Sequence, residues 1–245
     1  MKAILVELKL ALMLLTRLPA GRLSYAPSIG QSAWAFPAIG LLVGAIAASV
    51  MTALTGLDPH LAAGLTVAVT VLVTGGLHED GLADLADGFG GGRDKARKLE
   101  IMRDSRIGSY GTLALILVLG LRVQAIALVA GQGSAVWALI AIEAASRAGL
   151  PLVLRILPAA RADGLGHGAA QVSWRRVGIA LVLGIASLSL IGGMAAVWIG
   201  ITISLVVAAI SLLALRQIGG QTGDVLGAMQ ALSACAAWIV LSAIL

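Results

Sequence analysis

Apolar residues run through this chain in long blocks that polar residues interrupt only briefly. A helix that crosses a bilayer needs about 20 such residues. Blocks of that kind cover roughly 33–56, 60–77, 111–130, 135–157, 177–194, 196–215 and 225–245. The fifth and sixth form one stretch, 177–215, too long for a single span, and Gly192–Gly193 is where it divides. The first 22 residues, "MKAILVELKLALMLLTRLPAGR", are broken by Glu7 and Lys9, and no small-x-small cleavage site follows. They predict a retained amphipathic helix at the membrane surface. The pattern therefore predicts an all-α, polytopic membrane protein, about seven transmembrane helices plus that N-terminal helix, in a single domain over 1–245.

Composition strengthens this reading. Of the 245 residues 59% are hydrophobic and 12% charged, where a soluble domain is about a quarter charged. The 31 glycines suit helices that approach closely in lipid. The lone cysteine, Cys235, lies in an apolar run and reads as a small core residue. The net charge of +5 would suggest nucleic acid in a soluble protein. Here the cations report orientation instead, because cytoplasmic loops collect Lys and Arg. They gather before the first span and in 78–110, 158–176 and 216–224, and avoid the intervening turns. Seven spans with a cytoplasmic N-terminus satisfy this alternation. The expected partners are the lipid bilayer and small molecules, with no nucleic acid and with homo-oligomerisation left open. The expected location is a bacterial inner membrane, the polar loops facing the cytoplasm.

Against this background "HEDGLADLADG", residues 78–88, stands out: it holds four of the twelve carboxylates, Glu79, Asp80, Asp84 and Asp87. On a helix, Asp80, Asp84 and Asp87 lie at i, i+4 and i+7, on one face. Like charges so placed repel, more strongly where solvent screening is poor. Mg²⁺ prefers carboxylate oxygens and commonly bridges one or two of them to substrate phosphates. Asp80, Asp84 and Asp87 are thus candidate metal ligands, with Glu79 a fourth if the helix begins after it. The alternative is a solvated loop at the end of a span.

The next stretch, "GGRDKARKLEIMRDSRIGSYG" (91–111), alternates six cations with Asp94, Glu100 and Asp104. Arginine can grip phosphate through two parallel hydrogen bonds, whereas lysine acts as a point charge. A carboxylate face followed by a basic, glycine-bracketed strip suits a phosphate-bearing substrate. The candidate substrate-binding residues are His78, Gly81, Lys98, Arg103, Ser105, Arg106 and Gly108. Taken singly, Lys98 and its neighbours read as surface cations, and His78 as a cap on the preceding span. "GGQTGD" (219–224) echoes "GGLHED" (75–80) in placing an Asp four residues after a glycine pair.

"GGLHEDGLADLADGFGGG" followed by "LEIMRDSRIGSYG" resembles the signature of the cobalamin synthase family, the adenosylcobinamide-GDP ribazoletransferases. "TRLP" (16–19), "FPAIGLLVG" (36–44) and "TGDVLGA" (222–228) match it in the expected order. Leu85, Arg103 and the pair Ser109–Tyr110 depart from the residues expected there, but no carboxylate is lost. The resemblance implies an Mg²⁺-dependent transferase of a phosphorus-containing group. A ribose hydroxyl of α-ribazole, or of its 5′-phosphate, attacks the cobinamide-side phosphorus of adenosylcobinamide-GDP. GMP leaves, and adenosylcobalamin or its 5′-phosphate forms, the last step of vitamin B12 nucleotide-loop assembly. On this reading the catalytic set is Asp80, Asp84, Asp87, Asp104 and Asp224, with Asp104 or Asp224 placed to take the attacking hydroxyl's proton. Arg103 and Arg106 would bind the diphosphate.

Charges fall inside predicted spans, among them Arg122, Glu143 and Arg147. Glu143 and Arg147, at i,i+4, are either a self-neutralising pair or part of a site. Asp163 and His167, in 161–168, add a weak signal. The rivals are a CDP-alcohol phosphotransferase-like enzyme of lipid synthesis, a cation-coupled secondary transporter, and a non-enzymatic scaffold. A transporter favours charge at mid-membrane, and a scaffold has no need of clustered carboxylates.

Overall fold

The computed structural model describes residues 2–161 and 172–245. Helices dominate them: α1 (Lys2–Leu15), α2 (Ile29–Ser32), a 3₁₀ turn at Ala33–Ala35, α3 (Phe36–Ala53), α4 (Pro59–Thr74), α5 (Leu77–Gly91), α6 (Lys95–Ile101), α7 (Ser109–Gly131), α8 (Ala135–Ala148), α9 (Leu150–Ile156), α10 (Trp174–Leu188), α11 (Gly193–Ile218) and α12 (Gly223–Ile244). The all-α expectation holds.

Five stretches among the described residues are long and apolar enough to cross a membrane: Ile29–Ala53, α7, Ala135–Ile156, α11 and α12. The expected seven is not reached. The predicted span at 60–77 forms α4, which ends at Gly75 and Gly76, and α5 then leaves at 89°. Both glycines have φ near +70°, a backbone that residues with a Cβ rarely adopt. α4 and α5 make a sixth span only if the bent pair counts as one; α5 is not among the five. The predicted span at 177–194 forms α10, fifteen residues and short of bilayer thickness. The division at Gly192–Gly193 is where the chain turns, both residues having positive φ.

Small residues hold the bundle together. On α3, a Cβ at Gly44 would lie 2.6 Å from the Cα of Ile140 on α8, and one at Gly40 would strike the Glu143 carbonyl. The two form a G-x-x-x-G pair that brings backbones into contact. α5 crosses α12 in the same way: a Cβ at Gly81 would be 2.9 Å from the Asp224 carbonyl, and one at Gly227 would be 3.3 Å from the Gly81 Cα. Outside, Leu72, Ile185, Met194 and Leu205 are each at least 65% exposed, as a lipid-facing surface requires. α1 packs inward through Glu7, which accepts a 2.7 Å hydrogen bond from the Trp34 indole and pairs with Arg176 at 2.8 Å.

Candidate active site

One face of α5 carries the acidic residues, and the close crossing with α12 brings Asp224 against them. Asp80 is exposed and Asp84 half-buried; among the described residues neither side chain has a hydrogen bond or an ion pair. Burial first, then the neighbouring Asp80, Asp224 and Asp87, push the Asp84 carboxyl up to about 7. The Asp80 and Asp84 carboxylates face other carboxylates with no cation paired to either among the described residues.

Arg161, absent from the sequence-derived site, is the cation that meets this group. A two-stranded contact puts it there: Gln221 N donates to Pro158 O at 2.8 Å and Ala160 N to Gln221 O at 2.9 Å. Gly220 permits the approach, since a Cβ would collide with Pro158 O. Arg161 Nη2 then reaches Asp224 Oδ2 at 3.2 Å and Leu99 O at 3.4 Å, while its Nε is buried without a partner among the described residues. Thr222 caps α12 and also donates to Asp224 Oδ2, at 3.2 Å. The alternation of loops had put 78–110, 158–176 and 216–224 on one side. These contacts, and that of Lys98 Nζ with Gln217 Oε1, join the described parts of all three.

The other expected residues separate. Asp87 is buried and accepts from Gly108 N at 2.7 Å and Gly111 N at 2.9 Å, so both oxygens serve the N-terminus of α7. That satisfies orphan donors and places negative charge at the positive end of the helix. Gly108 and Gly111 are required, because a Cβ on either would meet the Asp87 carboxylate. Glu79 points into the bundle toward Arg122, 3.8 Å away. Arg122 also pairs with Glu143, whose other oxygen takes Arg147 Nη1 at 2.6 Å. His78 is the second residue of α5, after a Gly76 N-cap. It does not cap the preceding span. Its imidazole is buried with Nε2 unpartnered among the described residues. Burial, with Arg147 and Arg122 nearby, holds it well below its ordinary range, hence neutral.

Lys98 is buried and ties α6 to α11. Arg103 and Ser105 are exposed. Arg106 forks onto Asp104 at 2.6 and 3.1 Å, and its hydrogen bonds hold the Asp104 carboxyl down to about 2. Asp163 and His167 lie outside the described residues. No three His, Cys, Asp or Glu side chains among the described residues lie close enough to hold a metal by themselves. Asp80 and Asp224 line a cavity of about 110 Å³, whose other walls include Leu14, Leu77, Leu150 and Leu154. Arg161 and Thr222 escaped sequence reasoning because a lone arginine and a threonine carry no periodic signal. The "TGD" echo was the nearest hint.

Fold and site together define a polytopic helical membrane protein with an acidic centre at the end of its bundle. The family model described as cobalamin-5-phosphate synthase matches residues 7–242, and the chain belongs to that family. It is 47% identical over 93% of its length to a protein of Bradyrhizobium diazoefficiens named adenosylcobinamide-GDP ribazoletransferase, covering 89% of that protein. Proteins of the same name from Mesorhizobium japonicum and Azorhizobium caulinodans are 45% and 43% identical over 98% and 94% of the chain, covering 94% and 92% of theirs. No solved structure matches it.

Proposed function

We propose that this protein is an adenosylcobinamide-GDP ribazoletransferase of the inner membrane, working at its cytoplasmic face. It joins adenosylcobinamide-GDP to α-ribazole or α-ribazole 5′-phosphate and releases GMP. The observation that carries the reading is the set Asp80, Asp84 and Asp224, converging with Arg161 as the partner of Asp224. Phosphoryl transfer depends mainly on positioning and on neutralising charge, and an uncompensated carboxylate set beside a guanidinium supplies both.

The donors fit Mg²⁺. Asp80 and Asp84 are free among the described residues, and two carboxylates plus substrate phosphates make the usual environment of that ion. Bound there, Mg²⁺ would neutralise the carboxylates and draw charge from the phosphorus-bound oxygens. Arg161 is placed to hold the diphosphate, with Arg106 reaching it from the exposed turn. Asp224 is the better placed acceptor for the ribose hydroxyl's proton, since Asp104 is held too acidic to be an effective base. Asp87 serves by fixing α7, and the basic strip with it, against α5.

A transporter reading would use Arg122, Glu143 and Arg147 as its coupling site, yet these side chains are paired and at most 4% exposed. The test is direct. Purified protein given adenosylcobinamide-GDP, α-ribazole 5′-phosphate and Mg²⁺ should release one GMP per cobalamin phosphate formed, and should release no CMP from CDP-diacylglycerol. Absence of GMP release overturns the assignment. A reporter fused at residue 94 should be active on the cytoplasmic side only.

A further inference from the structure

A second cavity, of about 530 Å³, lies away from the acidic centre, between α8–α9, α10 and α11. Apart from Ser204 and Ser211 its walls are apolar, including Val153, Leu181, Leu188 and Ile203. On α11 the lining runs from Gly200 to Leu215, about 22 Å at 1.5 Å per residue. It is long enough for one extended hydrocarbon chain, which has about 15 Å of leaflet to cross.

At one end of the slot two exposed cations adjoin the lining in sequence. Ile156 and Leu215 line it there, and the adjoining residues are Arg155 and Arg216, both exposed. Neither pairs with a carboxylate among the described residues. Arg155 lies 5.3 Å over the ring of Trp174, which is itself exposed. Tryptophan at this level marks the headgroup region, and an arginine held on a ring face keeps its hydrogen-bond donors for a phosphate. α10, at fifteen residues, does not fill the bilayer thickness.

We propose that this slot is a binding site for one anionic phospholipid, an acyl chain lying between α8–α9, α10 and α11 and the phosphate resting on Arg155 and Arg216. The site is independent of the transferase reaction. Charge complementarity at the mouth favours an anionic over a zwitterionic headgroup, and the apolar slot supplies affinity common to both.

The test uses the full chain, stripped of native lipid in detergent and then exposed to mixed micelles holding equal phosphatidylglycerol and phosphatidylcholine. Native mass spectrometry counts what stays bound. The expected result is one tightly held lipid per chain, with phosphatidylglycerol favoured severalfold. Ser204→Phe, which fills the slot, should remove the retained lipid. The double variant Arg155→Gln/Arg216→Gln should keep one lipid but lose the preference; it leaves the apolar packing intact and serves if the phenylalanine disturbs folding. Equal retention of both lipids by the wild type, retention by Ser204→Phe equal to wild type, or a dimer that Ser204→Phe dissociates would each overturn the proposal.

Discussion

Glu79 and Asp80 are neighbours on α5 and belong to opposite worlds. Glu79 joins a closed set: with Arg122, Glu143 and Arg147 it makes two negative and two positive charges, all buried. Asp80 joins an open set, where Asp84 and Asp224 repel it and Arg161 offsets one charge. A charge in an apolar interior must be paired, so the closed set is what the fold needs. The open set costs stability that Arg161 offsets only in part, and such a cost marks a site kept for a ligand. The helix turn of about 100° between adjacent residues is enough to assign the two roles.

Breaking the closed set should have the largest effect. Glu143→Gln leaves Arg122 and Arg147 facing each other with Glu79 as the remaining carboxylate. Removing one member of a buried ion pair costs about 3–5 kcal/mol. Thermal unfolding in detergent should drop sharply, with activity falling in proportion to the folded fraction. An unshifted midpoint would show that water reaches these groups.

The open set should behave the other way. Asp84→Asn removes repulsion, so the unfolding midpoint without Mg²⁺ should stay or rise. Turnover should fall roughly 100-fold or more, because a ligand for the neutralising ion is gone. A stable variant with wild-type turnover at saturating Mg²⁺ would remove Asp84 from the site.

This opposition was half visible beforehand. The i, i+4, i+7 spacing and the pairing of Glu143 with Arg147 could be read from period alone, and the break at Gly192–Gly193 from the length of the apolar block around it. Asp87 shared the period of Asp80 and Asp84, yet its carboxylate points at α7, twenty-one residues on. Nothing local announces such a partner. The bend at Gly75–Gly76 was hidden for a related reason: hydropathy counts apolar residues and is blind to a helix that turns by 89°. Arg161 depends on the pairing of 158–160 with Gln221, a contact between distant segments that no motif encodes.

Arg106 offers an intermediate case, a paired charge that is nevertheless open to solvent, 87% exposed beside Asp104. Surface pairs contribute little to folding, so Arg106→Ala should leave the unfolding midpoint unchanged. If its guanidinium reaches the diphosphate, kcat/KM for adenosylcobinamide-GDP should fall about tenfold or more while the KM for α-ribazole phosphate holds. Lysine should recover part, keeping the charge and losing the fork. Equal effects on both substrates would make it a headgroup anchor.

The smallest effect is a pH dependence that the closed set should lack. Asp84 is pushed from its ordinary 3.8 up to about 7, so the folded, metal-free chain holds a proton that the unfolded chain releases earlier. A raised acid pKa gives a stability contribution that is full below the unfolded value and is lost as pH climbs through 7. The metal-free midpoint should therefore decline between about pH 4 and pH 7 and level off above. Mg²⁺ must displace the same proton to bind. Its apparent affinity should weaken by about tenfold for each pH unit below 7 and flatten above it. Isothermal titration with Mg²⁺ across this range reads the slope. Asp84→Asn should abolish it, whereas Arg106→Ala, outside the cluster, should leave it intact. A Mg²⁺ affinity independent of pH in the wild type would mean that the ion does not sit on Asp84, and that the open set is answered by some other cation.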